Sequence, residues 1–332
     1  MDILSYLPNC VVASTVSQAE NEAAWVQART AGIGGSDIGA ICGVSNFSTA
    51  RTIYLAKTAQ YTDSEYVNEF SDVSKERMHF GHVLEPVVAQ EFERRTGRIA
   101  VEAPATFAHK DYPWARANVD RFLVDEAGVP YGILECKTTD ARNFTDWDEG
   151  DIPISYIYQL NWYLWITGLE YGAFACLIGG NRFVYIEVIR NDELLQNTMI
   201  PAADHFWNYN VKNLIEPELG GTDADTDLVK SMYTDVVKNS EITLEGDELN
   251  ELAAFVYAGK AQLKELEKQI DAASNQLKEK LQNTEIGYTT DHIIKWSPRK
   301  QKRVDTEKLK SMYPDVYANV VKESSYRVFT IK

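Results

Sequence analysis

The stretch Tyr131-Gly-Ile-Leu-Glu-Cys-Lys-Thr138 decides how this 332-residue chain is read. Its apolar residues predict a strand over 130–139 that runs through a core. Side chains alternate between the faces of a strand, so Glu135 and Lys137 share one face. Charges in such a place are costly unless they are paired or bound to a metal. A second strand is predicted near 115–124, joined to the first by the turn-like Asp125-Glu-Ala-Gly128, and it brings Asp120 alongside Glu135. Two carboxylates with an adjacent lysine suit phosphodiester hydrolysis. Oxygen ligands fit Mg2+, which keeps several waters and takes few protein carboxylates; Mn2+ is the alternative. The backbone carbonyl of Cys136 can add one more oxygen. Lys137 can position or activate water and offset negative charge at the phosphate. The same residues also allow a plain surface salt bridge, Lys137 with Glu135 or Asp120.

Outward from that hairpin, Ser17-Gln-Ala-Glu20 is a capping-box pattern, and a helix is predicted through Trp25 and Arg29. Gly32-Ile-Gly-Gly35 ends it, and Ser36-Asp37 can cap the next short helix. Further helices are predicted over 48–58, 79–96 (ending at Gly97), 154–167 (closed by Gly168) and 192–215. Residues 61–76 read as a polar loop. A hairpin is predicted from Tyr171–Ile178 and Arg182–Ile189 around Gly179-Gly-Asn181. Residues 223–228 look like a linker. Over 245–282, apolar or small residues at 249, 252, 256, 263, 266, 270, 273 and 277 form a heptad-like stripe of about four repeats, interrupted by Gly259 and Lys280. That stripe fits an antiparallel helical arm packed on its own chain, or an intermolecular coiled coil. The tail has strand-like segments at 286–296 and 325–331 around a short helix at 305–312.

Net charge is −16, which argues against a protein that coats nucleic acid by bulk charge. The charge is segregated: −14 over 1–222, −6 over 223–284 and +4 over 285–332. A local DNA site therefore stays open. Cys10, Cys42, Cys136 and Cys176 show neither zinc nor iron–sulfur spacing, and a disulfide framework is not expected at this size. Gly32-Ile-Gly-Gly-Ser36 lacks the spacing and the lysine of a nucleotide-binding loop. His79 and Glu85 diverge by about 240° on a helix of 3.6 residues per turn, so with His82 they do not make one metal site. No long apolar segment predicts a membrane span. The N-terminus lacks a basic region and an apolar core, which predicts a cytoplasmic chain.

Six motifs then fall in one order. Arg29-Thr-Ala-Gly-Ile-Gly-Gly-Ser-Asp-Ile38 is followed by Phe80-Gly-His-Val-Leu-Glu-Pro86, Ala117-Asn-Val-Asp120 and Gly132-Ile-Leu-Glu-Cys-Lys-Thr-Thr139. Trp147-Asp-Glu-Gly-Asp-Ile-Pro153 and Tyr156-Ile-Tyr-Gln159 complete the set, with Thr167-Gly168 closing the last helix. Over roughly residues 25–190 the order and spacing resemble those of the YqaJ-type viral recombinases. Those are related to the lambda phage exonuclease within the PD-(D/E)xK nuclease superfamily. Two departures stand out. Asn118-Val119-Asp120 lacks the proline that names the superfamily, and Cys136 replaces a more usual aliphatic residue.

The resemblance implies a restriction-endonuclease-like α/β core, a mixed sheet flanked by helices. It implies Asp120 and Glu135 as metal ligands and Lys137 as the catalytic lysine. Glu85 would reach the metal region, through water if not directly. Gln159 would orient water, phosphate or Lys137. Arg29 and Ser36 match positions that bind a terminal 5′-phosphate, for which the planar fork of arginine is well suited. The implied activity is a Mg2+-dependent 5′→3′ exonuclease that resects linear duplex DNA and leaves a 3′ single strand. A single-strand annealing protein would pair that strand in phage or prophage recombination. A ring-shaped homotrimer is implied too. An endonuclease of the same superfamily and a non-catalytic DNA-end or partner-binding module are the alternatives. In the tail, Arg299, Lys300, Lys302 and Arg303 lie near Tyr288, Trp296 and Tyr313, a combination that can track and stack a DNA strand. The expected organisation is a nuclease domain over 1–222, an acidic helical arm over 223–284 and a small basic α+β appendage over 285–332.

Overall fold

The computed structural model describes residues 3–15, 28, 30–59, 72–103, 105–143, 147, 152–322 and 326–331. At its centre is β6 (Pro130–Thr139), the predicted core strand. It pairs antiparallel with β5 (Arg121–Val124) and parallel with β7 (Tyr171–Ile178). β2 (Ile99–Glu102) and β8 (Arg182–Ile189) add antiparallel edges, giving the mixed order β2-β5-β6-β7-β8. The parallel pair needs a crossover, which α4 (Ile154–Thr167) supplies. Its C-terminus stops at Gly168 in the left-handed region, φ 81°.

Period-two alternation distributes the central strands over two faces. Ile133, Phe122 and Phe174 point into one core with Leu160, Trp162 and Leu164 of α4. Their neighbours Leu134, Leu123, Ala173 and Ala175 point into another with Val88, Ala89 and Phe92 of α3 (Asp72–Thr96). A sheet buried on both faces reads as continuous apolar residues, as Ile133-Leu134 does. This is the restriction-endonuclease-like arrangement, with a mixed sheet and helices on both sides. A smaller antiparallel sheet, β1 (Cys10–Ser14), β3 (Thr106–His109) and β4 (Arg116–Ala117), has the order β1-β3-β4.

α1 (Gly35–Ile41) crosses α4 closely because glycine faces it twice. A Cβ on Gly35 would lie 2.4 Å from Cε1 of Tyr163 and 2.9 Å from Cγ of Gln159; one on Gly39 would lie 3.2 Å from Cβ of Ser155. Gly35→Ala is therefore expected to destabilise the protein by about 1–3 kcal/mol through overpacking. The check is a lower urea midpoint with an unchanged slope.

α2 (Ala50–Thr58) follows, capped by Thr49, whose side chain accepts from Thr52 N–H. The predicted helices at 154–167 and 48–58 and the 171–189 hairpin agree with the structure within two residues. α3 starts seven residues before the predicted 79, and it carries Pro86 within its length. The predicted strand at 115–124 divides: β4 joins the small sheet and β5 the large one. A helical run over 192–211, α5, contains two π segments, Leu195–Met199 and Phe206–Val211. The loop predicted over 61–76 is corrected at its end, where residues 72–76 form the first turns of α3; residues 61–71, and the helix predicted over 17–29 apart from residue 28, lie outside the described residues.

The reading of 223–228 as a linker is corrected. These residues open α6 (Asp223–Met232), where Thr222 and Asp225 form a capping box and Leu228 is buried. The chain divides into two compact units, 1–234 and 235–332. In the second, the heptad-like stripe lies on one unbroken helix, α7 (Asp247–Leu281), which passes through Gly259. Leu249, Leu252, Leu263, Leu266 and Ile270 are exposed on it within this chain. A hairpin of β9 (Ile286–Tyr288) and β10 (Ile293–Lys295) follows, and Gly287 admits the side chain of Leu281. Two short helices come next, α8 (Thr306–Met312) and α9 (Pro314–Val320). The strand predicted at 325–331 is not formed over the described residues 326–331.

Candidate active site

Glu135 is fully buried near the middle of β6, 0% exposed. Strand parity brings Lys137 to the same side, and its Nζ donates to Glu135 Oε2 at 2.8 Å. The β5–β6 register pairs Arg121 with Leu134, so the residue before β5, Asp120, arrives beside Glu135. Asp120 Oδ2 accepts the Cys136 N–H at 2.8 Å. The hairpin thus unites the three residues that the sequence singled out. The other oxygen of Glu135, Oε1, is buried with no hydrogen-bond partner among the described residues.

Burial and the nearby Asp120 push the Glu135 carboxyl up to about 7, and the Lys137 ammonium only partly offsets them. Burial alone would lower the Lys137 pKa, but Glu135 and Asp120 outweigh it and the net shift is upward. Lys137 therefore keeps its proton at neutral pH, and Glu135 gives up its own less readily than an exposed carboxyl does. The Lys137 ammonium also lies 5.2 Å from the centre of the Tyr156 ring, a cation–π contact from α4.

Glu85 comes from α3, on the other side of the sheet. Its Oε1 is held by Nη1 of Arg121, which also donates to the Asp120 carbonyl at 2.7 Å. Burial raises the Glu85 pKa, as does Asp120, and Arg121 opposes both. Reading the sequence missed Arg121. The available signal was a charged residue directly after Asp120, opening the otherwise apolar strand Arg121-Phe-Leu-Val124. Cys136 packs toward the α3 side, and burial pushes its thiol pKa up.

Gln159 is half-buried on α4, and its Nε2 donates to the Tyr163 hydroxyl at 3.3 Å. Tyr163 is buried, which raises its pKa, and Glu135 adds to the shift. Gly35 abuts both side chains, so the start of α1 lies against this part of the site. Ser36 is exposed in the first turn of α1; the N-cap is Gly34. This corrects the expectation that Ser36 caps the helix. Asp37 closes the turn instead, accepting the Gly34 N–H at 2.9 Å. Lys57, buried on α2, anchors that carboxylate at 2.7 Å, another contact the sequence did not announce. Arg29 lies outside the described residues. Arg299, Lys300, Lys302 and Arg303 are all exposed in the second unit, on a stretch without regular secondary structure.

A sequence model of the YqaJ-like viral recombinase domain matches residues 24–170, a span that includes Glu85, Asp120, Glu135, Lys137 and Gln159. A Bacillus subtilis (strain 168) protein, described only as uncharacterized protein YqaJ, is 38% identical over 310 residues, 93% of each chain. The chain belongs to the YqaJ-like viral recombinase family. Two solved structures are similar to this YqaJ-like chain at low identity. An alkaline exonuclease from Laribacter hongkongensis has a TM-score of 0.46 and 16% identity, covering 58% of this chain and 94% of its own. A phage related exonuclease from Haemophilus somnus 129PT has a TM-score of 0.41 and 12% identity, covering 55% and 96%.

The donor set of this YqaJ-like site fits a hard divalent cation of the Mg2+ class. Among the described residues no group of three His, Cys, Asp or Glu side chains forms a ready-made metal cage. Mg2+ does not need one, because it binds through one or two carboxylates and completes its shell with water and substrate phosphate. The unpartnered Glu135 Oε1 is a buried carboxylate oxygen that such an ion would satisfy. Cys10, Cys42, Cys136 and Cys176 form no disulfide among the described residues.

Proposed function

We propose that this YqaJ-like recombinase is a Mg2+-dependent DNA exonuclease, with Mn2+ as a substitute ion. It digests linear duplex ends 5′→3′ and leaves a 3′ single strand for an annealing protein in phage or prophage recombination. The observation that carries this reading is Glu135, a fully buried carboxylate with one oxygen on Lys137 and the other without a partner. A buried charge left so exposed to its own desolvation cost makes sense where a cation is to be held.

In this reading Asp120 and Glu135 hold the ion, with the Cys136 carbonyl as a further oxygen and Glu85 nearby, directly or through water. Held there, the ion would neutralise charge at the phosphate and make a bound water more acidic. Lys137, kept protonated by its two carboxylate neighbours, acts as a donor and counter-charge for the negative charge that develops on phosphate oxygen. Gln159, steadied by Tyr163, orients water or phosphate. Arg29 and Ser36 receive the terminal 5′-phosphate. The basic tail, Arg299 to Arg303, adds strand contacts, and a homo-oligomer, a trimeric ring by resemblance, supports processive digestion. The chain works in the cytoplasm of the host cell.

The test is digestion of linear duplexes with 5′-phosphate or 5′-hydroxyl ends, beside a covalently closed circle, in Mg2+ or EDTA. Linear DNA should be degraded only with the metal, faster from a 5′-phosphate, and the circle should survive. Activity in EDTA defeats the metal assignment, and equal loss of the circle points to an endonuclease.

A further inference from the structure

Arg116 carries a cation that no carboxylate among the described residues balances. It belongs to β4, and its backbone is fixed by a parallel bridge: Ile33 N–H donates to the Trp114 carbonyl at 2.7 Å, and Arg116 N–H donates to the Ile33 carbonyl at 2.8 Å. Its side chain then lies across Gly32, where a Cβ would come 2.6 Å from Arg116 Cγ and 3.0 Å from Nε. Gly32 thus leaves the room that the arginine stem occupies. The Arg116 Nε is buried and has no hydrogen-bond partner among the described residues. Other arginines with shielded side chains are matched. Arg51, Arg98, Arg121 and Arg190 each have a carboxylate oxygen within 3.0 Å. Among the described residues Arg116 forms no ion pair.

An unmatched, partly desolvated guanidinium costs free energy that only an anionic partner returns. Its fixed fork of donors fits phosphate oxygens. Asp120 is four positions after Arg116, a span of at most roughly 14 Å at the rise of an extended strand. The stretch Gly32–Ser36, which carries the exposed Ser36, runs alongside. We propose that Arg116 is a phosphate-binding residue of the DNA cleft, taking a phosphate of the strand that the Asp120–Glu135–Lys137 cluster hydrolyses. The inference rests on the nuclease reading above and names a residue that reading does not use.

The test uses the full chain in EDTA, so that duplexes bind without being cut, with binding followed by fluorescence anisotropy. Arg116→Met keeps the stem and removes the charge. It should weaken duplex binding about tenfold to a hundredfold, the range of one hydrogen-bonded ion contact. Its Tm should hold or rise, because an unpaired cation is removed; a residue with a purely structural role would lower it. Arg116→Lys, which retains the charge without the fork, should recover part of the affinity and covers the case in which the methionine variant fails to fold. Loss confined to 5′-phosphorylated duplexes assigns the terminal phosphate, and equal loss with 5′-hydroxyl ends assigns an internal one. If wild type binds DNA and both variants bind it equally well, the Arg116 assignment falls while the nuclease reading stands. If wild type neither binds nor cuts DNA with Mg2+ or Mn2+, both fall.

Discussion

Lys137→Ala is expected to slow DNA digestion a hundredfold to a thousandfold at saturating Mg2+, about the effect of deleting one donor aimed at developing negative charge. The loss should sit in kcat, because Lys137 is bound to Glu135 and is not extended toward solvent as a ground-state contact. The variant also strands Glu135. With its ammonium partner gone, a fully buried carboxylate faces only Asp120, and breaking such a pair costs on the order of 3 kcal/mol. Glu135 can escape that cost by taking a proton. The instability should therefore be marked at pH 8 and small at pH 5. Single-turnover rates and denaturant melts at the two pH values separate the catalytic effect from the structural one. Wild-type rates in the variant would remove Lys137 from the chemistry.

The second large effect concerns Glu135 itself. Its folded-state pKa of about 7 lies above the usual carboxylate value of 4.5. A raised pKa means that the folded protein binds the proton more tightly. The stability this gives is full below 4.5 and is lost as pH rises through 7. Glu135→Gln, which copies the neutral form, should therefore be more stable than wild type at pH 8 without metal, by on the order of 1–3 kcal/mol, and should match it at pH 5. A divalent cation acts in the opposite sense, since it competes with the proton. Mg2+ or Mn2+ should raise the wild-type Tm more at pH 8 than at pH 6, and the rise should shrink strongly in Glu135→Gln. Calorimetric scans with and without metal at the two pH values test both halves. An equal metal effect in the two proteins would place the ion elsewhere.

Much of this was legible in the chain because the site is local. Asp120, Glu135 and Lys137 sit on one hairpin, so strand alternation and a turn signal suffice to bring them together. The Gly168 stop and the Gly179-Gly-Asn181 turn likewise act on their immediate neighbours. What the sequence concealed depends on distant partners. Arg121 is an ordinary surface cation until α3 delivers Glu85 from 36 residues away. Lys57 has a lysine's usual exposed reading until α1 and α2 close over it and supply Asp37. Residues 223–228 resembled a linker because aspartates at a helix start look the same as those in a solvated loop. Only the burial of Asp225 and Leu228 separates the two. The extent of α7 was visible in its heptads, whereas its continuity through Gly259 was not, since one glycine costs a helix only about 1 kcal/mol.

The separation between local and distant contacts also orders the steps of folding. The acidic groups are joined by a hairpin whose strands lie a few residues apart, and its loop closes cheaply. The cover over them arrives through the parallel pairing that sets Gly132 against Tyr171, a closure across 39 residues that waits for the whole of α4. Longer closures cost more entropy and come later. A chain halted before that step has its carboxylates assembled yet still bathed in water, where they ionise like any surface acid. The raised pKa of Glu135 is therefore expected to arise only once β7 and α4 cover the strand that the hairpin builds.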